Sequence, residues 1–287
     1  MTAKLDAGPI QPDATKNFER RFGGLRRLYG VDGAQRIFDA HVVVVGIGGV
    51  GSWSVEALAR SGVRRLTLID LDLVSESNIN RQIHALEPTL GQSKAEAMRE
   101  RIALFHPDCT IDVIDDFVTP DNWPALLNTA LGHSVPLPCA LIDACDQVRA
   151  KTTLAAWAVS NGVHFVTVGA AGGKSQAQAV EVDDLAAVTH DPLLAQLRYR
   201  LRKHHNGART SRMRVTCVFS REAVAPPDAS CEVDNLDSTL NCHGYGSMVS
   251  VTATFGLCAA GWVLNVLAAS KKSIPPPQKR DESDAII

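Results

Sequence analysis

The apolar positions of this chain alternate between short runs and longer amphipathic stretches. The first run, 42–45, is four valines in succession, which reads as a strand buried on both faces. Residues 52–60 then take helical composition and spacing. Runs at 65–70, 111–114, 140–144 and 164–168 repeat the strand signal, and 93–105, 121–130 and 148–160 between them read as helices. In the first of these helices Ala95, Met98, Ile102 and Phe105 share one face, and Pro107 stops it. Ahead of the first strand, 17–40 carries helical spacing through Phe22, Leu25, Leu28, Ile37 and Phe38. Strand alternating with helix predicts a doubly wound, mainly parallel α/β sheet.

The rhythm changes after Gly172-Gly173. A strand is expected at 176–182, then a helix opening at Asp191-Pro192 and running to about 205, with proline in the first turn where its missing donor is harmless. Another strand is expected at 215–219, and 220–247 is an irregular stretch too long for a mere connection. Residues 248–269 run without a charge and would be long enough to cross a membrane. Their first half is rich in Val and Thr and carries Gly256, so a buried strand followed by a core or interface helix is the expectation. The resulting plan is a disordered lead at 1–15, one domain at 16–270 and a proline-containing disordered tail at 271–287. Within the domain, 16–170 is the nucleotide-binding half and 171–270 the substrate and dimerisation half.

Gly46, Gly48 and Gly51 follow the valine run at G-x-G-x-x-G spacing and open the next helix. This is the Rossmann-like arrangement that offers bare backbone N–H groups to a phosphate, so a nucleotide is expected here. Asp70, at the end of the second strand, lies where such a unit places the acid for ribose hydroxyls.

Composition narrows the rest. Apolar residues at 45 % and charged residues at 21 % are ordinary for a soluble enzyme. A net charge of −2 gives no global attraction to nucleic acid, so such a partner needs a local patch. Seven scattered cysteines, never spaced C-x-x-C, argue against a disulfide framework or structural zinc and for a reducing, cytoplasmic setting. The first residues lack the apolar core of a signal peptide.

Hydride transfer to a dinucleotide would need none of three further features. Asn80-Arg81-Gln82 follows the second strand, Lys94 stands near a helix start, and Asp143 and Asp146 flank Ala144-Cys145 at the end of the fourth strand. Cations for a triphosphate and acids for Mg²⁺ point to phosphoryl or nucleotidyl transfer from ATP. Arg198, Arg200, Arg202, Lys203, Arg209, Arg212 and Arg214 form a segment without an acid, the local footprint expected for nucleic-acid phosphates.

Gly46 to Gly51, Asp70-Leu71-Asp72, Asn78 to Gln82, Gly91 to Lys94 and Asp143 to Asp146 resemble the adenylation site of the ubiquitin-activating-enzyme superfamily. Arg21 to Gly24, Arg81 to Leu86, Asp116 to Asn122, Cys217 to Ser220 and Val251 to Gly256 are similar to one branch, the tRNA threonylcarbamoyladenosine dehydratases. The resemblance spans about residues 18–268. It implies ATP held by Gly46, Gly48, Gly49, Gly51, Asp70, Asp72, Asn78, Arg81 and Lys94, with Asp146 on Mg²⁺. It implies a carboxylate attacking the α-phosphate, assisted by Arg81, Lys94 and Asn78, and a homodimer in which Arg21 reaches the partner's ATP. No zinc is expected. Cys231 and Cys242 are the candidates for a thioester or for contact with a cysteine-desulfurase or sulfur-acceptor system. The alternative within the superfamily is adenylation of the C-terminus of a ubiquitin-like sulfur carrier.

Overall fold

The computed structural model describes residues 14–131, 136–226 and 245–270. Two helices come first, α1 (Ala14–Phe22) and α2 (Gly24–Phe38), the latter interrupted at Gly30, where φ is +73°. The sheet and its crossovers follow as β1 (His41–Val45), α3 (Gly51–Arg60), β2 (Arg65–Ile69), α4 (Lys94–Ala103), β3 (Thr110–Ile114), α5 (Ala125–Leu131), β4 (Ala140–Asp143), α6 (Val148–Asn161) and β5 (His164–Val168). The last part holds β6 (Val180–Asp184), α7 (Pro192–His204), β7 (Thr216–Ser220) and α8 (Val249–Ala269).

The seven strands form one sheet in the order β3-β2-β1-β4-β5-β7-β6. All pairings are parallel except that of β6 with β7. Alternate valines of β1 go to opposite faces. Val42 and Val44 join a core with α2, α3, α4 and α8, while Val43 and Val45 join one with α5, α6 and α7. Strand order reverses between β1 and β4, and the crevice outside the carboxyl ends of those two strands is where open α/β sheets bind ligands.

Three expectations are corrected. At 176–182 the chain makes a short 3₁₀ turn (Ala177–Ala179) before β6 begins. The N–H groups of Ser175 and Gln176 donate to the Glu222 carboxylate, so this stretch spends its donors on a side chain instead of a strand ladder. The helix expected at 121–130 starts only at Ala125, because Thr119 and Asn122 exchange side-chain bonds in a preceding turn. Finally, 249–269 is one continuous helix with no strand. It is long and apolar enough to cross a membrane, yet it packs along α3, α2 and β5 as a core helix. Gly256 makes this packing close: a Cβ there would stand 2.9 Å from the Trp53 Cβ and collide with the Val50 carbonyl oxygen. Helix α1 begins at Ala14, inside the expected lead, and the tail at 271–287 lies outside the described residues.

Candidate nucleotide site

The site is built on the turn from β1 to α3. Gly46 has φ +85°, and a Cβ there would lie 2.8 Å from the backbone of Ala144 and Cys145, which closes the turn onto the end of β4. A Cβ on Gly51 would strike the Gly46 carbonyl oxygen. Gly48 differs: the nearest atom to its Cβ position is the Gln82 Nε2 at 4.0 Å, which leaves room for a ligand against the backbone. The first helical bonds run from Ser52 N to Gly48 O and from Ser54 N to Val50 O, so the preceding N–H groups are the donors a helix start leaves for an anion.

Asp70 sits at the carboxyl end of β2, 7 % exposed. Its carboxylate accepts from the N–H of Ile47 at 2.5 Å and of Asp72 at 2.8 Å, tying the glycine turn to the second strand. Burial pushes this carboxyl above its ordinary pKa, against the pull of Lys94 and of the two N–H donors. Residues 73–74 pair with 91–93, which brings α4 alongside. Lys94, buried at the first position of α4, donates to Asp72 Oδ2 at 2.7 Å.

Arg81 lies over the turn, its Cγ 3.3 Å from where a Gly49 Cβ would be. Its Nη1 donates to the carbonyl of Ser77 and to Asn80 Oδ1, and the Trp53 indole fixes the Arg81 carbonyl at 3.0 Å. Asn78 is buried, and its Oδ1 accepts from Ser75 N, so this side chain shapes the loop. Asp146 is half-buried in the β4–α6 connection, two residues past the Ala144 that packs against Gly46 and Gly51. Asp143 is fully buried and belongs elsewhere. Lys151 Nζ donates to it at 3.2 Å, to Thr167 Oγ1 at 3.0 Å and to the Val168 carbonyl at 2.8 Å, and the Cys145 thiol donates to Asp143 at 2.9 Å. This withdraws Asp143 from the pair of acids expected for Mg²⁺ and leaves Asp146.

Lys151 carries no signal in any motif, although its place on the buried stripe of α6 with Ala150, Leu154, Ala155 and Ala158 marks it. Gln82 ends the Asn78 to Gln82 motif. It is 5 % exposed, and its Oε1 has no partner among the described residues. Arg21 is exposed and donates to the Phe105 carbonyl of its own chain. Phe105 lies beyond the far end of α4, about 15 Å of helix from Lys94.

The basic segment is divided by structure. Arg198 spends Nη1 on the carbonyls of Leu185 and Val188, Arg202 holds those of Ala208 and Arg209, and Arg212 reaches Asp183 at 3.5 Å. Lys203, Arg209 and Arg214 are exposed, and Arg200 is half-buried. Cys231 and Cys242 lie outside the described residues. Burial pushes the Cys109 thiol up to about 12 and raises Cys145 and Cys217 well above the usual thiol range, so these three stay protonated and unreactive. Among the described residues no group of three or more His, Cys, Asp or Glu could hold a metal.

The model of the ThiF family matches residues 21–281. The tRNA threonylcarbamoyladenosine dehydratase of Haemophilus influenzae is 41 % identical over 258 residues, covering 89 % of this chain and 96 % of that protein. Two solved structures of the Escherichia coli tRNA N6-threonylcarbamoyladenosine dehydratase are similar throughout. The complex with ATP has a TM-score of 0.75 and 43 % identity, over 88 % of this chain and 95 % of that one. The complex with AMP has a TM-score of 0.77 and 42 % identity, over 91 % and 98 %.

Proposed function

The chain belongs to the ThiF family, and from that premise we propose that it uses ATP to dehydrate and cyclise threonylcarbamoyladenosine in tRNA. The reading is supported by a glycine turn at the end of β1 that Arg81 covers, with Lys94 held on Asp72 past the end of β2 and Asp146 in the β4–α6 connection.

ATP lays its phosphates on the turn from Gly46 to Gly51 and its ribose against Asp70, whose buried carboxylate is already fixed by two N–H groups. Asp72 and Asn78 act one step back. Asp72 holds the Lys94 ammonium, and Asn78 braces the loop that presents Arg81. An oxygen of the threonyl carboxylate attacks the α-phosphorus, the bond to pyrophosphate breaks, and an acyl-adenylate remains. Arg81 and Lys94 are preorganised cations for the charge that builds on the phosphates. The carbamoyl nitrogen then attacks the acyl carbon, loses its proton, and AMP departs with the former carboxylate oxygen. Ring closure within one molecule needs no protein nucleophile, because high effective molarity replaces it.

Mg²⁺ fits the donor set. It is commonly held by one or two carboxylates with phosphate oxygens and water, and Asp146 supplies one carboxylate beside the phosphate turn. When bound, it neutralises phosphate charge. We assign tRNA contact to the segment 198–214, with Lys203, Arg209 and Arg214 facing solvent and Arg198 and Arg202 bracing the fold. A homodimer with Arg21 acting across the interface, a cytoplasmic setting, the division at residue 170 and a sulfur-transfer role for Cys231 or Cys242 complete the proposal.

The alternative, adenylation of a ubiquitin-like sulfur carrier, shares the first half-reaction and differs in the acceptor. AMP release from ATP separates the two. It should require tRNA carrying threonylcarbamoyladenosine, be indifferent to a sulfur carrier, and fall at least ~100-fold in Asp146→Asn, as expected for loss of a major electrostatic group. Full activity of Asp146→Asn would defeat the metal assignment.

A further inference from the structure

We infer that the outer face of α7 is a base-stacking shelf for the loop of the substrate RNA, with Tyr199 as the platform. The inference rests on the reading of the substrate as a tRNA.

Helix α7 is amphipathic: Leu194, Leu197 and Leu201 are buried in the core, while Tyr199 points outward and is 62 % exposed. The Lys203 ammonium stands 5.5 Å from the Tyr199 ring centroid. Tyr199, Arg202, Lys203 and Arg209 wall an open hollow of about 480 Å³. A second hollow of about 420 Å³ adjoins it through Ala195 and Arg198 and reaches Asp191. The Asp191 carboxylate caps α7 at Leu194 N and also accepts from Ala170 N, just past the carboxyl end of β5. The groove therefore starts at the sheet edge that carries the nucleotide site and follows α7 for about 20 Å.

From residue 192 to 215 the sequence contains no acid, so the hollow beside Tyr199 is walled by cations alone, and the Asp191 carboxylate at the far end of the groove is engaged by two backbone N–H groups. Cations that track a backbone, interleaved with an exposed aromatic ring, are the pattern by which proteins hold unpaired bases. An acidic protein surface would satisfy the charges but would leave the ring without a flat partner. Arg198 and Arg202 shape the groove, since their guanidinium groups are engaged with backbone carbonyls. Lys203 and Arg209 remain as phosphate contacts.

Stacking and phosphate contacts differ in salt dependence, because only the latter releases counterions. The test is the dissociation constant of tRNA carrying threonylcarbamoyladenosine, measured across a salt series for wild type, Tyr199→Ala, Tyr199→Phe and Lys203→Gln. Tyr199→Ala should weaken binding about 5- to 150-fold, the loss of one stacked base, with an unchanged slope of log K against log salt. Tyr199→Phe should stay close to wild type, and Lys203→Gln should flatten the slope by about 0.7. ATP affinity should be the same in all four. Wild-type affinity in Tyr199→Ala, or equal loss in Tyr199→Phe, would overturn the stacking role while leaving the proposed reaction standing. A wild-type protein that binds no tRNA at any salt would overturn both.

Discussion

Lys151 carries its charge where no water reaches it. Burial opposes that charge, but the carboxylates of Asp143, which also accepts its hydrogen bond, and Asp191 outweigh burial and hold its pKa above the ordinary lysine value. Removing one partner of such a pair strands the other, at a cost of about 3–5 kcal/mol. Lys151→Ala should therefore lower unfolding stability by about that much. Lys151→Met combined with Asp143→Leu should recover a large part of it, both read by urea denaturation. A loss below about 1 kcal/mol in Lys151→Ala would show that the pair is not the anchor of this turn. A second residue-scale prediction concerns His41 and His84. Burial first, then nearby cations (Arg65 for His41, Lys94 and Arg101 for His84), push both down to about 3. Between pH 6.5 and 3 only the unfolded chain takes up protons at these sites, so stability falls as pH falls, by about 2 kcal/mol per histidine at pH 5. Denaturation at pH 8 and pH 5 checks this, and His84→Gln should flatten the dependence. An unchanged slope in that variant would contradict the buried neutral histidine.

At the scale of elements, most strands were legible because each is a short apolar run bounded by turn residues, and β5 is found at its expected residues. Helix α8 was not. Its Val- and Thr-rich first half has strand propensity, but packing against α3 overrides propensity, and Gly256 is there for close approach instead of as a breaker. Gly256→Ala should consequently overpack the α3–α8 contact and cost about 1–3 kcal/mol, although alanine is the better helix former. A Gly256→Ala protein more stable than wild type in the same denaturation would refute close packing as its reason. Lys151 illustrates the opposite limit. Its position on the buried stripe of α6 is readable from spacing, but its partner Asp143 is fixed only when β4 and β5 are side by side. The placing of the glycine turn, Asp70 and Lys94 at strand and helix ends was legible because each falls at a fixed spacing from an apolar run. The withdrawal of Asp143 into the core was not, because burial is a property of the assembled sheet.

The whole molecule raises the question of assembly. Arg21 is bonded to Phe105 near the amino ends of the strands, on the opposite edge from Gly46, Asp70 and Asp146. An arginine so placed stands away from its own site, and the proposal gives it the ATP of a second copy. Mixing Arg21→Ala with Asp146→Asn tests this. Random pairing makes half the dimers mixed, each with one intact site, so activity should return to about a quarter of the wild-type level. No recovery after verified subunit exchange would confine Arg21 to its own subunit or to a structural role. The central claim is the chemistry itself, and nucleoside mass spectrometry addresses it most directly. Modified tRNA is incubated with the protein, ATP and Mg²⁺, and then digested to nucleosides. The account predicts that threonylcarbamoyladenosine loses the mass of one water only when ATP is present. An unchanged nucleoside mass alongside continued AMP production would contradict it.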